Sequence, residues 1–139
     1  VEVQINLLAV LLATVAAMAF SAVWYSQRFF GGVWCRLAKL KGKGLKIEST
    51  RGAFIVFVAS FLTAYVLAHL IYLANAFFGN TYLKDALVTA FWVWFGIVAV
   101  RIIAQDTFER RPLQLTIINI SHELITLLLM ALVIGLLQV

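Results

Sequence analysis

Four uninterrupted apolar stretches dominate the sequence, at residues 5–26, 54–78, 83–103 and 113–137. Each is about 20 residues or a little longer, enough for a helix to cross a hydrocarbon core of about 30 Å. A transmembrane strand would need about half that length and would alternate apolar with polar residues, and no alternation is present. Inside lipid the backbone has no water to bond, so helices are the form that satisfies it here. Composition agrees: 64% of the 139 residues are hydrophobic and 12% are charged. Soluble domains carry about 25% charged residues, and a soluble chain of this size could not bury so much apolar surface. The expectation is an all-α chain, one transmembrane domain over residues 1–139, folded as an integral membrane four-helix bundle.

The connections carry the punctuation. Gly31, Gly32, Gly42, Gly44 and Gly52 break the first, Gly79 and Asn80 the second, and Pro112 opens the fourth helix. Pro suits a first turn, where its missing N–H would have no intrahelical partner. The first span is expected to be retained rather than cleaved. A signal peptide starts basic, and the only charge before Arg28 is Glu2.

Charge sets the expected orientation. Arg28, Arg36, Lys39, Lys41, Lys43, Lys46 and Arg51 lie in loop 27–53, and Arg101, Arg110 and Arg111 lie at or near the third connection. Seven and three make ten of the eleven basic residues, and Lys84 is the exception. Basic loops stay in the cytoplasm, which places both termini on the other side of a plasma or bacterial inner membrane. The net charge of +5 is thereby assigned to anionic lipid rather than to nucleic acid. The lone Cys35 can form no internal disulfide and is read as an ordinary interfacial cysteine.

Within the first loop, Phe29, Phe30, Val33, Trp34, Leu37 and Leu40 recur at helical spacing. Arg36, Lys39 and Lys41 fall elsewhere on the wheel. The spacing predicts a short amphipathic helix over 29–40, with Phe29, Phe30 and Trp34 among acyl chains and the cations on headgroups.

Two stretches are distinctive. Trp24-Tyr25-Ser26 followed by Phe30-Gly31 and Trp34 closes the first helix. Arg111-Pro112-Leu113 followed by Leu115, Ile118-Asn119 and His122 opens the fourth. Together they resemble the small membrane proteins of domain-of-unknown-function family seventeen-sixty-one. The resemblance extends to helix number and loop order, with Gln27 standing where the pattern would carry Pro. It implies a four-helix membrane fold and no particular activity.

Chemistry must therefore be sought in the residues. On the fourth helix Thr116, Asn119, His122, Glu123, Thr126 and Met130 share a sector of about 120° at about 100° per residue. Glu123 lies about 15 Å along that helix, near the midplane, where a carboxylate must find a partner or water. On the second helix Tyr65, His69 and Tyr72 form a polar-aromatic stripe. Arg101 is placed near the inner interface, within possible reach of Glu123. Ala9, Ala13, Ala17 and Ser21 form a small-residue ladder read as helix packing. The expected intramembrane cluster is Asn119, His122, Glu123, Thr126, Tyr65, His69 and Arg101. The two histidines differ in depth by about 9 Å, which makes shared haem ligation awkward. No nucleophile–base pair, phosphate loop or zinc spacing is present.

The reading that follows is a channel, transporter or ligand-binding protein with an interior polar site, without catalytic residue, metal or cofactor. A structural or accessory subunit is the alternative, and a haem or metal redox protein the lesser one. The expected partners are the bilayer, anionic lipids at the basic loop, and a second copy or a larger membrane complex.

Overall fold

The computed structural model describes residues 2–137. Among them are helices and turns without a strand: α1 (Leu7–Trp24), α2 (Gly31–Leu37), α3 (Thr50–Phe78), α4 (Tyr82–Val93), a π-helical turn (Trp94–Val98), α5 (Ala99–Phe108) and α6 (Leu113–Leu137). Because α4, the π turn and α5 run on without a break, four helices are long and apolar enough to span a membrane. The protein is multi-pass. Its spans are α1, α3, the α4–α5 rod over Tyr82–Phe108, and α6. The first is shorter than the apolar run 5–26, and the second and third extend beyond 54–78 and 83–103 because polar turns at their ends remain helical.

Local chemistry sets the helix ends. Asn6 caps α1 by accepting from the backbone N–H groups of Leu8 and Ala9, and its own amide donates to the Leu137 carbonyl of α6. That bond ties the start of α1 to the end of α6. Ser49 caps α3 through the Gly52 N–H. Gly79, with φ of +68°, ends α3 in the left-handed conformation that costs a glycine nothing. The turn after it is fixed by the buried Asp85, whose carboxylate accepts from both Asn75 and Asn80. In the π turn the Ala99 N–H reaches back five residues to the Trp94 carbonyl.

α6 packs against α1 on one side and the α4–α5 rod on the other, and α3 closes the far half by packing on α1 and α4. At the end away from the basic loops (the far end) the interior is dry. Val10, Ala13, Leu67, Ile71, Ala86, Ala90, Leu127, Met130, Ala131 and Ile134 are all buried in one cluster. The alanines of α1 and α3 let those helices approach closely, as the small-residue spacing predicts. Gly135 does the same for α6, because a side chain there would press on Leu83 and Ala86 of α4.

The basic end is built differently. α1 stops at Trp24, well short of the start of α6, and a folded loop fills the space beneath it. The chain reverses through Tyr25–Phe30, with the Ser26 carbonyl accepting from the Phe29 and Gly31 N–H groups. The turn is made by backbone bonds, with Gln27 in it and no proline. α2 follows, and the chain returns through Gly42 to set the Leu45 N–H on the Tyr25 carbonyl. The amphipathic segment is thus shorter than 29–40. Its helix covers Gly31–Leu37 and buries Gly31 and Cys35. Phe29, Phe30, Arg36, Lys39 and Lys41 are exposed, but Trp34 is half-buried with its ring 4.4 Å from that of Tyr25. Trp34 therefore packs in part under α1, against Tyr25. The reason is the gap that α1 leaves by ending early, which a large ring fills.

A polar column beneath a dry core

His122 is the centre of the polar side chains that α6 turns inward. It is buried, and its ring stacks on Phe20 at 5.6 Å and lies 4.7 Å from the ring of Tyr25. Trp24 is a third aromatic neighbour, itself packed on Phe30. Both ring nitrogens have partners. Nε2 is 2.8 Å from Ser21 Oγ and Nδ1 is 3.2 Å from Glu123 Oε1. One turn on, the Thr126 hydroxyl donates to the His122 carbonyl at 2.7 Å.

Ser21 makes this arrangement adaptable. Its Oγ also lies 3.0 Å from the Ala17 carbonyl on its own helix. When imidazole is neutral with its proton on Nδ1, Ser21 donates to Nε2. When imidazole is protonated on both nitrogens, Nε2–H donates to Ser21 Oγ, and the hydroxyl rotates to donate to Ala17. Nδ1–H points at the carboxylate in both cases. The Ser21 hydroxyl can thus meet Nε2 as donor or as acceptor, and no hydrogen bond is lost between the two arrangements.

Polar contacts continue toward the basic end along the same face. Tyr25 Oη donates to Asn119 Oδ1 at 2.8 Å. Thr116 Oγ1 donates to Asp106 Oδ2 at 2.7 Å, joining α6 to α5, and both residues are buried. Arg111 pairs with Glu109 at 2.9 Å and stands 4.0 Å from Asp106. A cleft of about 300 Å³ lined by Ile103, Thr107, Arg110, Arg111, Leu113 and Thr116 opens there. The column thus runs from Asp106 through Thr116, Asn119 and His122 to Thr126, about 15 Å along α6. Above Thr126 it meets the dry cluster and stops. A larger cavity, about 470 Å³, lies between the first loop and the start of α3, and no member of the column lines it.

Of the residues expected to cluster, the structure brings Asn119, His122, Glu123 and Thr126 together. It keeps the other three apart. His69 turns back to the Tyr65 carbonyl at 2.9 Å, and the two rings meet edge to face on α3, away from α6. Arg101 is exposed, on the side of α5 opposite the buried Ala99 and Asp106. Neither is the partner of Glu123: α3 lies across the bundle from α6, and Arg101, although on the rod beside α6, faces away from it. Spacing missed Ser21, Phe20, Asp106 and Trp94, whose indole donates to the Ile120 carbonyl at 2.8 Å. Ser21 continues an alanine ladder in sequence, and only the neighbour it meets distinguishes it from packing. Among the described residues no three His, Cys, Asp or Glu side chains converge on a metal-sized space.

The two distinctive stretches of the sequence turn out to be one place. Trp24 and Tyr25 touch His122, Tyr25 bonds Asn119, Trp34 packs on Tyr25, and Gly31 lies against the Tyr25 carbonyl. Segments about a hundred residues apart thus form a single cluster at the end of α1. No curated protein and no solved structure matches the chain. A family model described as "Protein of unknown function (DUF1761)" matches residues 8–135, and the chain belongs to that family.

Proposed function

We propose that the protein is a membrane-embedded binding protein whose site, His122 with Glu123, is reached from the basic side of the bundle and takes up a proton or a small polar ligand there. The observation that carries this reading is the hydrogen bonding of His122, which Ser21 satisfies in either protonation state. A group meant only to fasten helices needs one arrangement, and this one accommodates two. The dead end at the dry cluster speaks against an open pore through the single chain. Binding with one-sided access, or transport that needs the helices to move, fits it better.

The test is a cysteine in place of Glu123, in a Cys35→Ser background, with a membrane-impermeant thiol reagent. Modification from the basic side alone is the expected result. Modification from both sides would mean a through-path. Protection from both would mean a dry fastening between α1 and α6, the property of a structural subunit.

The orientation follows from charge. With ten basic residues at one end, that end faces the cytoplasm and both termini face away. In the same Cys35→Ser background, a reagent applied outside cells should label Asn80→Cys and leave Lys43→Cys untouched. The reverse pattern would invert the topology.

A further inference from the structure

Glu123 is more exposed than its place on α6 allows. At about 100° per residue it falls in line with Thr116 and Met130, seven residues to either side, and beside Leu127 and Ile134. Those four are 0–5% exposed, whereas the Glu123 side chain is 37% exposed. On the helical wheel it faces the bundle axis, and it finds space there. The walls explain why. α3 has no fully buried residue before Ala64 and the π turn has none, with Phe61, Trp94 and Val98 only partly buried against the core, and α3 meets the π turn and α5 at most weakly. The basic half of the bundle is therefore cleft along its axis and open sideways between α3 and the π turn, where the flanking surface is apolar and faces lipid. Phe57 and Phe61, seven residues before the buried Ala64 and Ala68, are half-buried on the face of α3 that looks into this cleft. Trp94 stands on the opposite wall, held by its bond to α6.

We propose that this cleft admits a lipophilic organic monocation from the bilayer and seats its charge on Glu123. The proposal rests on the binding reading above and names the class of ligand. Oε1 is bonded to His122, and Oε2 has no hydrogen-bond or ion-pair partner among the described residues. No lysine or arginine competes for it, since Arg101 faces away. A carboxylate at the end of a cleft with aromatic walls attracts a weakly hydrated cation through charge and through the faces of the rings. An anion of the same shape would be repelled. A sideways opening suits a ligand already dissolved in lipid.

Tetraphenylphosphonium is the probe, measured by equilibrium dialysis against the protein in nanodiscs, with empty nanodiscs subtracted. The expected result is saturable binding of the cation, whereas tetraphenylborate, its anionic counterpart in shape, dialysed separately in the same way shows none above empty nanodiscs. Glu123→Gln should weaken it at least about tenfold, the weight of one contact to a charged group. Phe57→Leu combined with Phe61→Leu should weaken it several-fold, and it serves alone if the Gln variant does not fold. Absence of saturable binding of the cation, equal saturable binding of tetraphenylborate measured separately, or indifference to both sets of substitutions would overturn the proposal. Such a failure alongside one-sided modification of Glu123→Cys would leave the binding site standing with a different ligand. Protection of that cysteine from both sides would remove the site itself.

Discussion

Gly31→Ala is expected to be the most damaging single-methyl change in the described chain. A Cβ at this position would overlap the Tyr25 carbonyl and approach the Ser26 carbonyl to 2.6 Å. Both obstacles are backbone, and neither can swing aside as a side-chain end would. The Tyr25 carbonyl is also held in place by the Leu45 N–H, and the Ser26 carbonyl by Phe29 and Gly31 itself. Relief requires the turn between α1 and α2 to open, which withdraws Tyr25 from Asn119 and Trp34 from Tyr25. The cost should reach the upper end of the range for overpacking, about 3 kcal/mol. Gly32 is the control on the next residue. A Cβ there meets nothing closer than the Lys43 carbonyl at 4.0 Å. Alanine is the better helix former by about 1 kcal/mol, so Gly32→Ala should be neutral or mildly stabilising. Unfolding midpoints in mixed micelles with increasing sodium dodecyl sulfate measure both. Equal midpoints for the two variants would mean that the loop does not fold onto the end of α1 as described.

Gly31 also shows where a sequence stops being legible. The long apolar runs identify the spans without ambiguity, because hydrocarbon thickness and helical rise leave one solution for stretches of that length. Likewise the inward face of α6 can be read from spacing alone, since residues three, four and seven apart share a side whatever the neighbours are. The neighbours themselves cannot be read. Nothing in the spacing of Tyr65 and His69 says that α3 lies across the bundle from α6, nor in the ladder ending at Ser21 that α1 lies beside it. Helix order around a bundle is decided by the summed packing of all faces, and each face alone is compatible with several partners. The loop is a different failure. Its apolar period suggests a longer amphipathic helix, but Phe29 and Phe30 are consumed by a tight turn that depends on the absence of a side chain at Gly31. A hydrophobic period cannot report such a close approach. What did point to the site was the pair of stretches around Trp24-Tyr25 and Asn119-His122. Neither has chemical meaning alone, and the fold supplies it by placing them in contact.

His122→Ala should loosen the junction between α1 and α6 and abolish whatever the polar column does. The substitution removes a buried ring that three aromatic side chains surround, leaving a cavity among Phe20, Trp24 and Tyr25. Truncations of buried rings cost about 3 kcal/mol or more where the walls cannot collapse, and here the walls are held by Phe30 and Trp34 behind them. The same change leaves Glu123 at mid-span without its one hydrogen-bond partner among the described residues. A double-mutant cycle separates packing from polar coupling. Ser21→Ala alone removes the hydroxyl and keeps the ring, and the expected coupling between positions 21 and 122 is about 1 kcal/mol, near the upper part of the range for hydrogen bonds between membrane helices. His122→Gln asks a further question. Its amide can reach Ser21 or Glu123 but cannot take up a proton. It should recover part of the stability lost in His122→Ala and none of the ligand or proton uptake. Recovery of both would reduce His122 to a fastening between helices, and a vanishing coupling with Ser21 would show that the 2.8 Å contact contributes nothing to holding α1 against α6.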